Sequence, residues 1–303
     1  FPPNLNKKHL ATMNANMKAA GVKSGVFLTG GVGDIGDKNL TKRKKALKTY
    51  KYWVDIASEL GCKSMRNVCG ENINIPFDEK LNYAIEGVSE LGNYAATKNI
   101  SLLIENHNGY SSSPEWMISL MEAVNLKNVG VLGDFTNWTL KRNPDTFYPD
   151  PYKGIELLTP YIRAVSAKSS EFTSEGEEIT IDYKRMFEVL KKAPQLEFIG
   201  VEFFGNKISR KEGAIRTKEL IEKLRKIAPH SKIYIVQQGL SNYFERQLWG
   251  YNIIHRNLAN QYFNVETIEV TDLLYDYQNG RISGNDEEII TADGSSSYNL
   301  TAT

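Results

Sequence analysis

The stretch "SLLIENHNGY", residues 101–110, runs from the apolar segment Leu102, Leu103 and Ile104 straight into Glu105, Asn106, His107 and Asn108. Buried strands rarely carry a carboxylate unless it is paired or holds a metal. A strand that ends this way therefore points to a site at its end rather than to a solvated turn. His107 is one of only four histidines in 303 residues, and the only one beside such a strand end.

Outward from this point the same unit recurs. The reading predicts strands over 25–30, 63–70, 100–106, 128–134, 162–168, 197–205, 232–239 and 265–275. Between them it predicts helices over 42–61, 78–99, 113–124, 151–161, 182–194, 211–228 and 244–263. Ser113 followed by Pro114 is a helix-start signal. Eight βα units imply a parallel sheet with right-handed crossovers. They suggest a closed (β/α)₈ TIM barrel, for which about 250 residues is typical. The alternative is a doubly wound open sheet, in one domain or split into two. No Pro/Ser/Gly-rich linker divides the middle of the chain, so residues 1–303 are expected to form one domain. The polar segment 278–303 reads as loop or frayed end.

A hydrophobic fraction of 41% allows a large core, and a net charge of +1 leaves no basic excess. That argues against a nucleic-acid or membrane-surface partner. No apolar run approaches the ~18 residues of a membrane span, and the N-terminal segment has no apolar stretch of signal-peptide type. A soluble chain is expected, with the compartment open and a cleaved leader still allowed. Cys62 and Cys69 fit no zinc spacing and read as packed thiols.

In a parallel barrel the site forms at the C-terminal ends of the strands. Glu105, Asp134, Lys168 and Glu202 fall at or near four successive strand ends, with His107 just beyond the first. An oxygen-rich group of this kind suits Mg²⁺, Mn²⁺ or a similar divalent ion; the competing reading is that each acid is paired separately with a loop donor. Asn67 and Trp138 are candidate substrate contacts. Phe135, Trp138, Phe203 and Phe204 would either stack on a sugar or pack in the core. "GVGDIG" (31–36) matches G-x-G-x-x-G, but a dinucleotide site needs a helix starting within the motif and an acid ending the next strand. It reads as a rim loop. The basic run 42–45 reads as a solvated helix face.

"LLIENHNGYSSSPEW", "VGVLGDFTNW", "AVSAKSSEF" and "FIGVEFFG" resemble the strand ends of the sugar phosphate isomerase/epimerase family, the xylose isomerase-like barrels. The resemblance covers about residues 1–225. It implies a divalent metal held by Glu105, Asp134, a third ligand and Glu202, and a small sugar or sugar phosphate as substrate. Glu105 and Glu202 would then also move a proton, and His107 is a further catalytic candidate at the rim, or with water would fill the gap at the third ligand. Lys168 would hold a substrate phosphate or polarise a carbonyl; the competing reading is a structural salt bridge to a rim carboxylate. Two departures stand out. Ser166 falls nearest the third ligand, where many members have histidine, and a serine hydroxyl is a poor ligand for these ions. The chain also enters at what would be the family's third strand, so six units are present by residue 225.

Residues from about 220 to 303, through "KIYIVQ" and "VETIEVTDLLYDY", resemble the last part of an SGNH (GDSL-type) hydrolase, a flavodoxin-like βα arrangement. Asp293 matches that family's Asp-x-x-His pair, but Ser296 stands at the histidine and the nucleophile block is missing. A triad without nucleophile or base cannot transfer an acyl group, so no working esterase is expected. Six units of one kind and two of the other make eight, and the two would close the barrel, with 266–270 pairing against 25–29. Such a chain would be a hybrid, natural or engineered, or a truncated two-domain protein. The functional expectation is a metal-dependent sugar isomerase or epimerase, weak or impaired because of Ser166. The alternative is a catalytically silent barrel or carbohydrate-binding relic.

Overall fold

The computed structural model describes residues 7–21, 23–29, 32–138 and 150–208, positions 212–213, 216 and 219–220, and two strand segments at 233–236 and 265–268. The helix expected over 244–263 lies outside these residues, as does the SGNH-like segment from 221 onward apart from those two strands.

Helix α1 (Lys7–Ala20) precedes the first strand. It was not among the expected elements, although Leu10, Met13 and Met17 fall on one helical stripe, and all three are buried. The βα units then follow in order: β1 (Val26–Leu28), α2 (Leu40–Glu59), β2 (Ser64–Asn67), α3 (Phe77–Ala96), β3 (Ser101–Glu105), α4 (Pro114–Val124), β4 (Val129–Asp134), α5 (Pro151–Leu158), β5 (Ile162–Ser169), α6 (Tyr183–Leu190) and β6 (Phe198–Phe203). The strands β7 (Ile233–Val236) and β8 (Val265–Ile268) complete the sheet. Helix starts follow local chemistry. Asn39, Ser113, Asp150 and Asp182 each accept a backbone N–H of the first turn, which satisfies donors the helix itself cannot. Because α2 is capped by Asn39, it begins after "GVGDIG", and the motif is a loop as expected.

All eight strands form one parallel sheet in chain order, β1 to β8. A doubly wound sheet reverses its strand order at a switch point; this one does not, and sequential order is that of a barrel. Two apolar layers show how the sheet curls. Leu103, Leu132, Ala164 and Phe198 of β3 to β6 form a small inner cluster, and Val26 of β1 packs against it. Met65, Leu102, Ile104, Val131, Val165 and Ile199 belong instead to the large layer shared with the helices. Contact between the first strand and this cluster requires a concave inner face. The closing ladder expected between 266–270 and 25–29 is not among the ladders of the described residues.

The basic run 42–45 departs from expectation at one position. Arg43 is buried, donates to Glu86 and to the Asp37 carbonyl at 2.6 Å each, and lies over the Tyr83 ring. The helix face that carries it meets α3 rather than solvent.

Candidate functional site

The inner cluster sets the phase for the strand ends. Side chains two residues apart on a strand share a face. Counting on from Leu103, Leu132, Ala164 and Phe198 gives Glu105, Asp134, Ser166 with Lys168, and Glu202 on the concave side. Register adds Arg66, which pairs with Leu103. Lys168 pairs with Glu202, and Asp134 with Ser166.

Lys168 is the hub. Its Nζ lies 3.4 Å from Asp134 Oδ2, 3.6 Å from Glu202 Oε1 and 3.5 Å from Asn137 Oδ1. It also sits 5.3 Å from the centre of the exposed Phe204 ring. Asp134 is fully buried, and its Oδ1 accepts from the Thr136 and Asn137 backbone N–H groups and the Thr136 hydroxyl. Glu202 Oε2 accepts the Ser166 hydroxyl at 3.0 Å. Glu105 Oε1 accepts from the Asn137 amide at 3.3 Å, and Arg66 Nε lies 3.1 Å from its Oε2. That last approach is off the N–H axis, so the two buried atoms form an ion pair without a hydrogen bond.

Burial dominates the electrostatics. It raises the Glu105 pKa to about 7, with Arg66 opposing and Asp134 adding to the rise. Burial also raises that of Asp134, against the pull of Lys168. For Lys168 burial works the other way, but Asp134 and Glu202 outweigh it and hold the ammonium above the ordinary lysine value. His107 sits in the turn after β3, half-exposed, with Nδ1 3.2 Å from Glu71 Oε1. Its pKa is raised chiefly by the hydrogen bond to Glu71.

The structure thus brings together Glu105, Asp134, Lys168 and Glu202, with His107 at the edge. Two expected substrate contacts fall elsewhere. Asn67 pairs in register with Ile104, which belongs to the helix-facing layer; it has the wrong phase for the concave side, and its neighbour Arg66 has the right one. Trp138 is buried in the core, its indole N–H donating to the Phe135 carbonyl at 3.0 Å and its six-membered ring closing on Gly154. Phe135 is likewise buried, edge-on to Tyr183 and Phe187. These rings pack rather than offer a face to a sugar. Three contributors were missed: Arg66, Asn137 and Asn106. Asn106 is fully buried and clamps the main chain of Asp134 from both sides, accepting its N–H at 2.7 Å and donating to its carbonyl at 2.9 Å. Its position directly after Glu105 was the only sequence signal.

The implied divalent metal does not fit the side chains as they stand. Ser166 Oγ is committed to Glu202, Asp134 Oδ1 is filled by three donors, and Asp134 Oδ2 faces an ammonium. Among the described residues no three or more His, Cys, Asp or Glu side chains have an arrangement that holds a metal ion. Glu105, Asp134 and Glu202, the expected ligand set, converge around Lys168 and Arg66.

Comparison with known proteins places the chain. No curated protein matches it. Solved structures share its fold at low identity. The 3-keto-D-glucoside 4-epimerase of E. coli in its apo form aligns with a TM-score of 0.57 and 16% identity, over 73% of this chain and 86% of that one. A D-psicose 3-epimerase crystallised in the presence of D-fructose gives 0.59 and 11%, over 74% and 84%. The IOLI protein with a bound zinc atom gives 0.54 and 13%, over 72% and 81%. The family model described as "Xylose isomerase-like TIM barrel" matches residues 1–227, a span that contains every strand end of the site. With its sequential parallel sheet and its acidic strand ends, this chain belongs to the xylose isomerase-like TIM barrel family.

Proposed function

We propose that the chain is an isomerase or epimerase of a small sugar or sugar phosphate that works by proton transfer next to a carbonyl. The observation that carries this is the placement of Glu105 and Glu202 on the concave side with the Lys168 ammonium close to Glu202 and Asp134. One carboxylate removes the proton from the carbon beside the carbonyl. The C–H electron pair becomes the C=C bond of an enediolate, and the carbonyl π pair moves onto oxygen. A cation fixed where that oxyanion develops lowers the barrier. The second carboxyl group returns a proton, to the other face for epimerisation or to the neighbouring carbon for isomerisation. Arg66 and Asn137 hold Glu105 in place, and Asn106 holds the main chain of Asp134. The relatives that act on sugars by name support a sugar substrate. Turnover is expected to be slow, because the side chains do not assemble the metal centre that the family resemblance implies.

Solvent exchange tests the reading. The full chain is incubated in D₂O with a panel of aldoses, ketoses and their phosphates, and deuterium at carbons next to the carbonyl is followed by NMR. Incorporation that Glu105→Gln and Glu202→Gln abolish supports proton transfer. Saturation transfer to a sugar without exchange identifies a carbohydrate-binding barrel instead. Neither signal with any sugar overturns the proposal.

A further inference from the structure

We propose that Lys168 is the resident cation of this site, standing among the strand-end carboxylates and making the site independent of divalent metal. Four observations support this. The Lys168 side chain is only 15% exposed and reaches two carboxylates and one amide oxygen within 3.6 Å, so its position is set by the cluster rather than by solvent. The charges nearly balance without an added ion: three carboxylates, Glu105, Asp134 and Glu202, face two permanent cations, Arg66 and Lys168. A divalent ion would bring two further positive charges next to an ammonium that the same carboxylates already hold. Two of the oxygen atoms a metal would need are also taken. Asp134 Oδ1 has three donors, and Glu202 Oε2 is bonded to Ser166. Finally, Ser166 is not merely a lost ligand. As a donor it secures one oxygen of Glu202 while the other faces Lys168.

An ammonium differs from a metal in what it can do. It stabilises an oxyanion as a point charge with directed N–H donors. It cannot chelate a carbonyl and a neighbouring hydroxyl together as a coordinated ion does. Resting on the proton-transfer reading above, the site is accordingly suited to enolisation and not to a hydride shift, which leaves no solvent label at carbon.

Metal binding and exchange test this separately. Mn²⁺ is titrated calorimetrically into the full chain and into Lys168→Met, with Lys168→Arg as the variant that keeps the charge. Wild type and Lys168→Arg should show no stoichiometric Mn²⁺ site at micromolar concentration. Lys168→Met, checked for folding by circular dichroism, should gain at least tenfold in Mn²⁺ affinity, and Lys168→Met with Ser166→His should gain more. One Mn²⁺ per wild-type chain at micromolar concentration overturns the proposal, as does a folded Lys168→Met with unchanged affinity. If Lys168→Met does not fold, wild type and Lys168→Arg decide the matter alone. Deuterium exchange should survive exhaustive removal of divalent ions; exchange lost with the ions and restored by Mn²⁺ overturns the proposal too. A chain with no exchange on any sugar overturns the functional reading, while the titration still decides the role of Lys168.

Discussion

Replacing Asn106 with alanine should remove the clamp that seats Asp134 at the end of β4. The Asn106 side chain makes three hydrogen bonds in a fully buried position: to the Asp134 N–H at 2.7 Å, to its carbonyl at 2.9 Å and to the Asn137 carbonyl at 3.3 Å. Each is worth about 1 kcal/mol net, and a buried N–H left without an acceptor costs about 1–3 kcal/mol more. The sum places the loss at about 4–6 kcal/mol. Urea denaturation followed by tryptophan fluorescence reads it directly, as a lower midpoint at an unchanged slope. Asn106→Asp keeps an acceptor for the Asp134 N–H but loses both donated bonds. It also sets a second carboxylate beside a buried one, so it should be no better than alanine. A loss below about 1 kcal/mol for Asn106→Ala would refute the reasoning, because it would mean that water or a neighbouring group takes over the Asp134 N–H.

The remaining expectations concern charge and close packing. Burial holds Glu105 at a pKa of about 7, above the ordinary 4.5. The folded state therefore keeps a proton that the unfolded chain releases, and stability from this group falls as pH rises from about 4.5 to about 7. Glu105→Gln should lose that part of the slope and be more stable than wild type at pH 8, with the gap closing at pH 5; a parallel pair of pH–stability curves would count against it. Lys80 is fully buried, bonded to Asp34 and to the Gly36 carbonyl. Lys80→Met should cost about 3 kcal/mol, the low end for breaking a buried pair, because Asp34 still reaches water. An unchanged melting temperature would show that the pair is dispensable. Gly87 lets α3 approach the loop before α2 so closely that a Cβ would lie 1.9 Å from the Ile35 carbonyl oxygen. Gly87→Ala should therefore destabilise by about 3 kcal/mol or more, the upper range for overpacking, and calorimetry showing less than about 1 kcal/mol would contradict that approach.

Much of this protein is written in local sequence. Apolar runs of strand length alternate with amphipathic stretches that open on Asn39, Ser113, Asp150 or Asp182, and these are signals a segment carries by itself. They suffice for the βα order and for the parallel sheet. The strand-end positions of Glu105, Asp134, Lys168 and Glu202 were legible for the same reason. Which face a residue takes was not. Strands of a parallel sheet are buried on both sides, so their sequences do not alternate polar with apolar. Arg66 and Asn67 are adjacent in "SMRN" and equally polar. Only the register of β2 against β3 sends Arg66 to Glu105 and Asn67 to the helix layer. Arg43 and Trp138 tell the same story, since a basic run and a rim aromatic look solvent-facing until a partner element covers them. The central contact of the site joins Lys168 to Asp134, 34 residues earlier. No local pattern encodes such a pair; it exists because β4 and β5 lie side by side, with their carboxyl ends level and the sheet curled so that both side chains point inward.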